Sequence, residues 1–192
     1  MLKNVLVATA VLTMSSSLAF AGSMGTPCPE YNYLAGPYVG ASVGPLVNVA
    51  GAPANYQGFS GLLSVGWAHM MNRSIYIAGE FFGGSNANLK DSSIAGNLTS
   101  VSSSYTYGFD VIPGFMITDR VLAYFRAGVV RNQFNNVNVG RTGWQVGLGG
   151  QTNVYKNIDI RSEFIYSQYN SIAGVGTPRS DQFNLGLVYK FV

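Results

Sequence analysis

Gln182-Phe183-Asn184-Leu185-Gly186-Leu187-Val188-Tyr189-Lys190-Phe191 alternates with a period of two. Phe183, Leu185, Leu187, Tyr189 and Phe191 fall on one face; Gln182, Asn184, Gly186 and Lys190 fall on the other, with Val188 the exception. Successive side chains of an extended chain point to opposite sides, so this is a strand with one greasy face and one polar face. The same parity recurs upstream. Phe59, Leu63, Val65 and Trp67 oppose Ser60, Ser64, Gly66 and Ala68, while Tyr105, Tyr107, Phe109, Val111 and Phe115 oppose Thr106, Gly108, Asp110 and Gly114. Ile158, Ile160, Phe164 and Tyr166 oppose Asp159, Arg161 and Glu163. In all, eight strands are read near 37–49, 58–69, 74–84, 103–116, 121–132, 141–154, 157–169 and 181–191.

Period alone does not say which face is wet. A soluble barrel of the lipocalin kind would turn its apolar face inward and hold its charges outside in water. Three observations favour the reverse. Aromatics sit near the strand ends of the apolar face, where membrane-interface girdles belong: Trp67, Phe115, Trp144, Tyr105 and Tyr189. Charged residues are only 10% of the 192-residue chain, too few to solubilise its surface. An export signal opens the chain: Lys3, an apolar stretch from Val5 to Met14, and Ala19-Phe20-Ala21 before Gly22. The fold expected is therefore all-β, an eight-stranded antiparallel up-and-down transmembrane β-barrel. Residues 1–21 read as signal peptide, 22–36 as a short unstructured periplasmic leader, and 37–192 as the barrel.

Composition excludes other classes. Hydrophobic residues reach 47%, yet 24 glycines and 13% aromatics are ill suited to transmembrane helices, and no apolar run after the signal approaches the ~20 residues a helix needs to cross. Without Lys3, the net charge of +3 falls to about +2, which leaves no footprint for nucleic acid. Cys28 is the one cysteine, so no intramolecular disulfide forms, and Gly25-Thr26-Pro27 before it argue against lipidation.

Loop lengths orient the barrel. Short connections lie around Met70 to Arg73, Thr118-Asp119-Arg120 and Tyr155-Lys156, and the alternate connections are longer and rich in Gly, Asn and Ser. The longest runs from Gly83 to Ser104. Short turns face the periplasm and long loops the outside, which places the exported protein in the bacterial outer membrane, against its lipids and lipopolysaccharide.

From Tyr38 onward the chain resembles the OmpA-type transmembrane barrel and its short OmpX-like relatives. The pieces that carry the likeness are Tyr38-Val39-Gly40-Ala41, Gly79-Glu80, Ile117-Thr118-Asp119, Tyr124-Phe125-Arg126, Gly149-Gly150, Arg161-Ser162-Glu163-Phe164 and Leu185 to Phe191. The resemblance implies that Asn184, Gly186, Tyr189 and Phe191 form the terminal signal read by the barrel-assembly machinery, with Val192 a departure from it; periplasmic chaperones would escort the chain there. It also implies an interior charge network at Glu80, Arg126, Arg161 and Glu163. Parity independently turns these four inward, with Asp110 a fifth, and unpaired charges in a dry lumen are too costly to persist. Pairing across the lumen is therefore expected, either to fill and fix the core or, in the sharper reading, as a gate. Ser42, Ile112 and Gln151 stand where the best-known members carry a lysine, a lysine and an acid, which removes participants from a partner-exchanging gate. The chain ends at Val192, so the peptidoglycan-binding domain of larger members is not expected.

No enzyme, cofactor or metal site is expected. Lipid A-modifying barrels need a His with a Ser and an acid near the outer leaflet. The single histidine, His69, falls at the periplasmic end of its strand. Gly147 to Gly150 precede no helix and so make no phosphate cradle, and no His, Cys or acid cluster has metal-ligand spacing. Asn72-Arg73-Ser74 and Asn97-Leu98-Thr99 match the glycosylation sequon without a role here. Two functions remain: a structural, surface-displaying barrel whose loop 85–104, with Asn88, Lys90 and Asp91, meets a host or cell-surface ligand; or a low-conductance pore for small solutes.

Overall fold

A computed structural model describes residues 34–49, 55–91, 103–134, 139–171 and 177–191. The signal segment, its cleavage site, most of the leader, Cys28 and Asn97 lie outside the described residues. Eight strands follow one another: β1 (Gly36–Val49), β2 (Asn55–Met70), β3 (Ile75–Asp91), β4 (Ser103–Thr118), β5 (Val121–Phe134), β6 (Val139–Tyr155), β7 (Ile158–Tyr169) and β8 (Arg179–Lys190). Each pairs antiparallel with its neighbours in sequence, and β1 pairs with β8 to close the barrel. Closure leaves no unpaired edge, which is the condition for strands to cross a bilayer.

The turns at one end are tight. Asn72 Oδ1 accepts the backbone N–H groups of Ser74 and Ile75 at 2.9 and 2.8 Å, closing the β2–β3 turn. That local side-chain bond accounts for an asparagine at this place. Asp119-Arg120 and Lys156-Asn157 make the other two described turns, with Lys156 at φ 40°. Asn157 Nδ2 donates to the carbonyl of Lys190 at 2.9 Å, tying this turn to the end of β8.

Two ladders are interrupted where proline removes a donor. The β1–β8 pairing skips Gly44 and Pro45, and the β4–β5 pairing skips Ile112 and Pro113. Both prolines face outward, where the missing N–H costs a rung and no lumenal contact.

Two expectations need correction. Alternation alone ends β3 at residue 84, but the strand runs to Asp91. Loop 85–104 therefore begins as strand: Asn86 pairs with Ser60, Asn88 with Gly58 and Lys90 with Gln57. Past Gly84, Ser85-Asn86-Ala87-Asn88 lacks a greasy face because this extension stands beyond the hydrocarbon, where parity no longer has lipid to answer to. The leader is also shorter than 22–36. Gly36 already pairs with Ala68, and Leu34 is buried in an apolar cluster with Tyr38, Met70, Tyr76, Ile112 and Leu122.

Parity then sorts the wall. Leu63, Trp67, Phe81, Phe115, Leu148 and Leu187 are among the outward side chains left more than half exposed by the protein itself. Such a surface needs hydrocarbon to cover it.

Candidate functional site: the ion-paired lumen

Glu80 on β3, Asp110 on β4, Arg126 on β5, and Arg161 and Glu163 on β7 are all buried in the lumen. The structure brings all five together. Arg126 is the hub: it pairs with Glu80, reaches Asp110 through Nε at 3.3 Å and reaches Glu163 through Nη1 at 3.2 Å. Arg161 Nη1 lies 2.6 Å from the other Glu80 oxygen.

Three carboxylates against two guanidiniums leave a formal charge of −1, and neutral donors spread it. Tyr38 Oη donates to Glu80 at 2.9 Å, and Tyr124 Oη donates to Glu163 at 3.0 Å. Gln145 Nε2 stands 2.8 Å from both oxygens of Asp110. In a low-dielectric interior such charge-assisted bonds offset a desolvation cost that bare charges could not bear.

The two tyrosines are seated alike. Tyr38 on β1 is the register partner of Gly66 on β2, which is the partner of Glu80 on β3. Tyr124 on β5 is the partner of Gly149 on β6, which is the partner of Glu163 on β7. A Cβ on Gly66 would come within 2.4 Å of the Tyr38 ring carbon and hydroxyl, and one on Gly149 within 2.3 Å of those of Tyr124. Glycine is thus the recess that lets each ring lie over a strand and aim its hydroxyl at a carboxylate.

Nearer the end with the tight turns a second polar group gathers. Lys190 pairs with Asp159; Gln151 Nε2 and Asn153 Nδ2 donate to Asp159 at 2.5 and 2.8 Å. Arg161 Nε donates to Gln151 Oε1 at 3.1 Å and so links the two groups. Inward parity placed Asp159 and Lys190 on the right face, but only register identifies them as partners. Of the three positions that depart from the family pattern, Gln151 joins this second group, Ile112 is buried in the apolar cluster, and Ser42 lines a cavity beside the network.

The other residues singled out by sequence fall elsewhere. Asn184 is buried and inward. Gly186 faces in at the β1–β8 seam, where a Cβ would meet the Ala41 carbonyl and Ser42 at 2.6 Å. Tyr189 and Phe191 lie outside with ring centroids 5.1 Å apart. Trp67, Tyr105, Phe115 and Trp144 are likewise outward and exposed. His69 lies on the outward face of β2 beside the β2–β3 turn, with Ile77 as its register partner. Among the described residues no group of His, Cys, Asp or Glu could hold a metal ion.

The lumen holds little space. One cavity, bounded by Ser42, Glu80, Arg126, Arg161 and Glu163, measures about 10 Å³. A second, between Phe82, Asn132, Gln145 and Tyr169, is also about 10 Å³. Each has room for roughly one water.

A closed barrel with ionised groups inside and a broad band of exposed apolar side chains outside is an integral membrane barrel. The chain belongs to the outer membrane protein beta-barrel domain family, which it matches over residues 7–191, and is thereby a protein of the bacterial outer membrane. Neisserial surface protein A superposes with a TM-score of 0.59 at 19% identity, over 81% of this chain and 97% of that one. Ail, the attachment invasion locus protein of Yersinia pestis, superposes at 0.52 with 17% identity, over 82% and 99%. Its complex with the heparin analogue sucrose octasulfate gives 0.51 at 16% identity, over 82% and 99%. At such identities the likeness is one of fold. No curated protein matches the chain.

Proposed function

We propose that this protein is a sealed, structural outer-membrane barrel that displays its extracellular loops as a contact surface for a host or neighbouring cell. The filled lumen carries this reading: the arginine–carboxylate cluster spans the interior from β3 to β7, and the cavities beside it admit about one water each. An eight-stranded interior is in any case just wide enough for side chains to fill.

Asymmetry between the two ends supports the display role. The described turns at one end span two to four residues, while at the other β3 stays paired with β2 out to Asp91 before the connection at 92–102 leads on to β4. A strand that stays braced on its neighbour as it lifts a polar loop off the membrane suits presentation better than transport. Ail, named for attachment and invasion, shares the architecture, and an adhesive role here extends that likeness.

Planar-bilayer recording of the refolded protein tests the sealed lumen. The expected trace is flat, with Arg126→Ala opening a measurable conductance; steady, reproducible channels in the unaltered protein would defeat the reading. For display, binding of whole cells that expose the protein to host-cell monolayers should fall to background when residues 92–102 are replaced by a Gly-Ser linker.

A further inference from the structure

The outward face holds a feature that lumen and loops do not explain. Across β2 to β6 the wall carries a groove of about 640 Å³, lined by Leu63, Val65, Phe81, Phe109 and Val129 and ending at Arg131. Its size lies within the ~300–1,000 Å³ typical of small-molecule sites. Outward Gly83 hollows it: a Cβ there would meet nothing closer than 3.8 Å. Phe81 and Phe109, with centroids 4.8 Å apart, form one solid bank.

Arg131 sits at the groove's outer end. It lies ten positions beyond Val121, the first residue of β5, which at ~3.3 Å per residue and a tilt of 35–45° is about 25 Å above the periplasmic end. That is the height of the apolar band, so the guanidinium stands at the outer headgroup boundary. Its register partners are Tyr107 and Thr142, both exposed. It lies over Gly140, where a Cβ would be 3.2 Å from its Nε and Nη2 and 3.0 Å from Gln133 Oε1. The other charges on the described outward faces of the strands, Arg179 and Asp181, share a face two residues apart on β8 and balance each other. Among the described residues no carboxylate is paired with Arg131.

We propose that this wall is a binding site for lipid A, the phosphorylated glycolipid anchor of lipopolysaccharide. One acyl chain lies in the glycine-hollowed groove, and a glucosamine phosphate sits on the Arg131 guanidinium with the Tyr107 and Thr142 hydroxyls around it. Chain and phosphate meet the protein where the outer leaflet places them, and a planar fork of donors suits a phosphate. A second copy of the chain would leave that guanidinium without an anion.

The test measures lipid binding to the mature protein refolded in detergent, by native mass spectrometry. The probes are bis-phosphorylated lipid A, the same lipid with its phosphates removed, and phosphatidylglycerol. Removing the phosphates should weaken binding to the unaltered protein by about tenfold, the loss of one charge-assisted hydrogen bond of about 1.4 kcal/mol. Arg131→Gln should weaken intact lipid A by a similar factor and leave the dephosphorylated form unchanged. Gly83→Leu, which fills the groove, should weaken both forms, and Leu187→Ala on the opposite wall should weaken neither. All three positions face outward, and heat-modifiable gel mobility reports that each variant is folded. The proposal fails if dephosphorylation has no effect, if phosphatidylglycerol binds as tightly as lipid A, or if Leu187→Ala loses as much as Arg131→Gln. It also fails if the unaltered protein is a dimer that Gly83→Leu dissociates, since the groove would then belong to a second copy.

Discussion

Tyr38–Gly66–Glu80 and Tyr124–Gly149–Glu163 place the same three residue types on three successive strands, four strands apart in a ring of eight. The two rows face each other across the lumen and differ in what lies between them. Glu80 receives both guanidiniums, whereas Glu163 receives Arg126 alone. The joint itself, a ring laid over glycine with its hydroxyl on a carboxylate, is a local device that any three adjacent strands can build. Load on the joint is set by the arginines, which belong to the barrel as a whole. Equal rows would respond equally to substitution. These should not.

Removing the shared arginine should have the largest effect. Arg126→Leu strips the cation that touches Glu80, Asp110 and Glu163 and strands carboxylates from both rows in a lumen with no bulk water. Breaking a buried pair from one side costs about 3–5 kcal/mol. Urea unfolding in detergent micelles, followed by the fluorescence of Trp67 and Trp144, should show that loss. A change below about 1 kcal/mol would mean that water fills the lumen and the rows are not coupled through Arg126.

The glutamates should separate next. Glu80→Gln leaves Arg161 without its carboxylate and takes one from Arg126; the two charge-assisted bonds it weakens are worth about 1.5 kcal/mol or more each. Glu163→Gln weakens one such bond and leaves Arg126 on Glu80 and Asp110. Unfolding titrations of the pair should show Glu80→Gln about twice as destabilising. Equal losses would erase the distinction between the rows.

How much of this is open to reading from the chain follows from what each feature depends on. Parity places Glu80, Asp110, Arg126, Arg161 and Glu163 on the inner face, because alternation against lipid is a constraint every membrane-spanning residue must meet. It does not show that Tyr38 and Tyr124 serve the same site. Their hydroxyls reach Glu80 and Glu163 two strands away, and that reach depends on the stagger between strands and on an intervening glycine. In the sequence, Tyr124 and Gly149 are only points of family resemblance. Strand β3 past Gly84 reads as loop because its extension stands in water, where a ladder needs only backbone partners. Lys190 and Asp159, thirty-one residues apart, meet only because β7 and β8 are neighbours and the lumen is narrow. The groove that ends at Arg131 depends on outward Gly83 falling beside Leu63 on β2 and Tyr107 on β4.

The smallest effect is the most discriminating, because it should invert the order of the glutamates. Tyr38→Phe and Tyr124→Phe each keep the ring in its glycine recess and each guanidinium near it, Arg161 lying 5.4 Å from the Tyr38 centroid and 5.6 Å from that of Tyr124. Each removes only a hydroxyl from a carboxylate, a bond worth about 1–2 kcal/mol. Glu80 still has two arginines when Tyr38 loses its donor, so that cost should fall near the lower figure. Glu163 has one, so Tyr124→Phe should fall near the upper. If the row with fewer cations relies more on its tyrosine, Glu80→Gln exceeds Glu163→Gln while Tyr124→Phe exceeds Tyr38→Phe. A common ranking in both pairs would show instead that one side of the lumen is simply better packed, and that the arginines do not decide how each joint is strained.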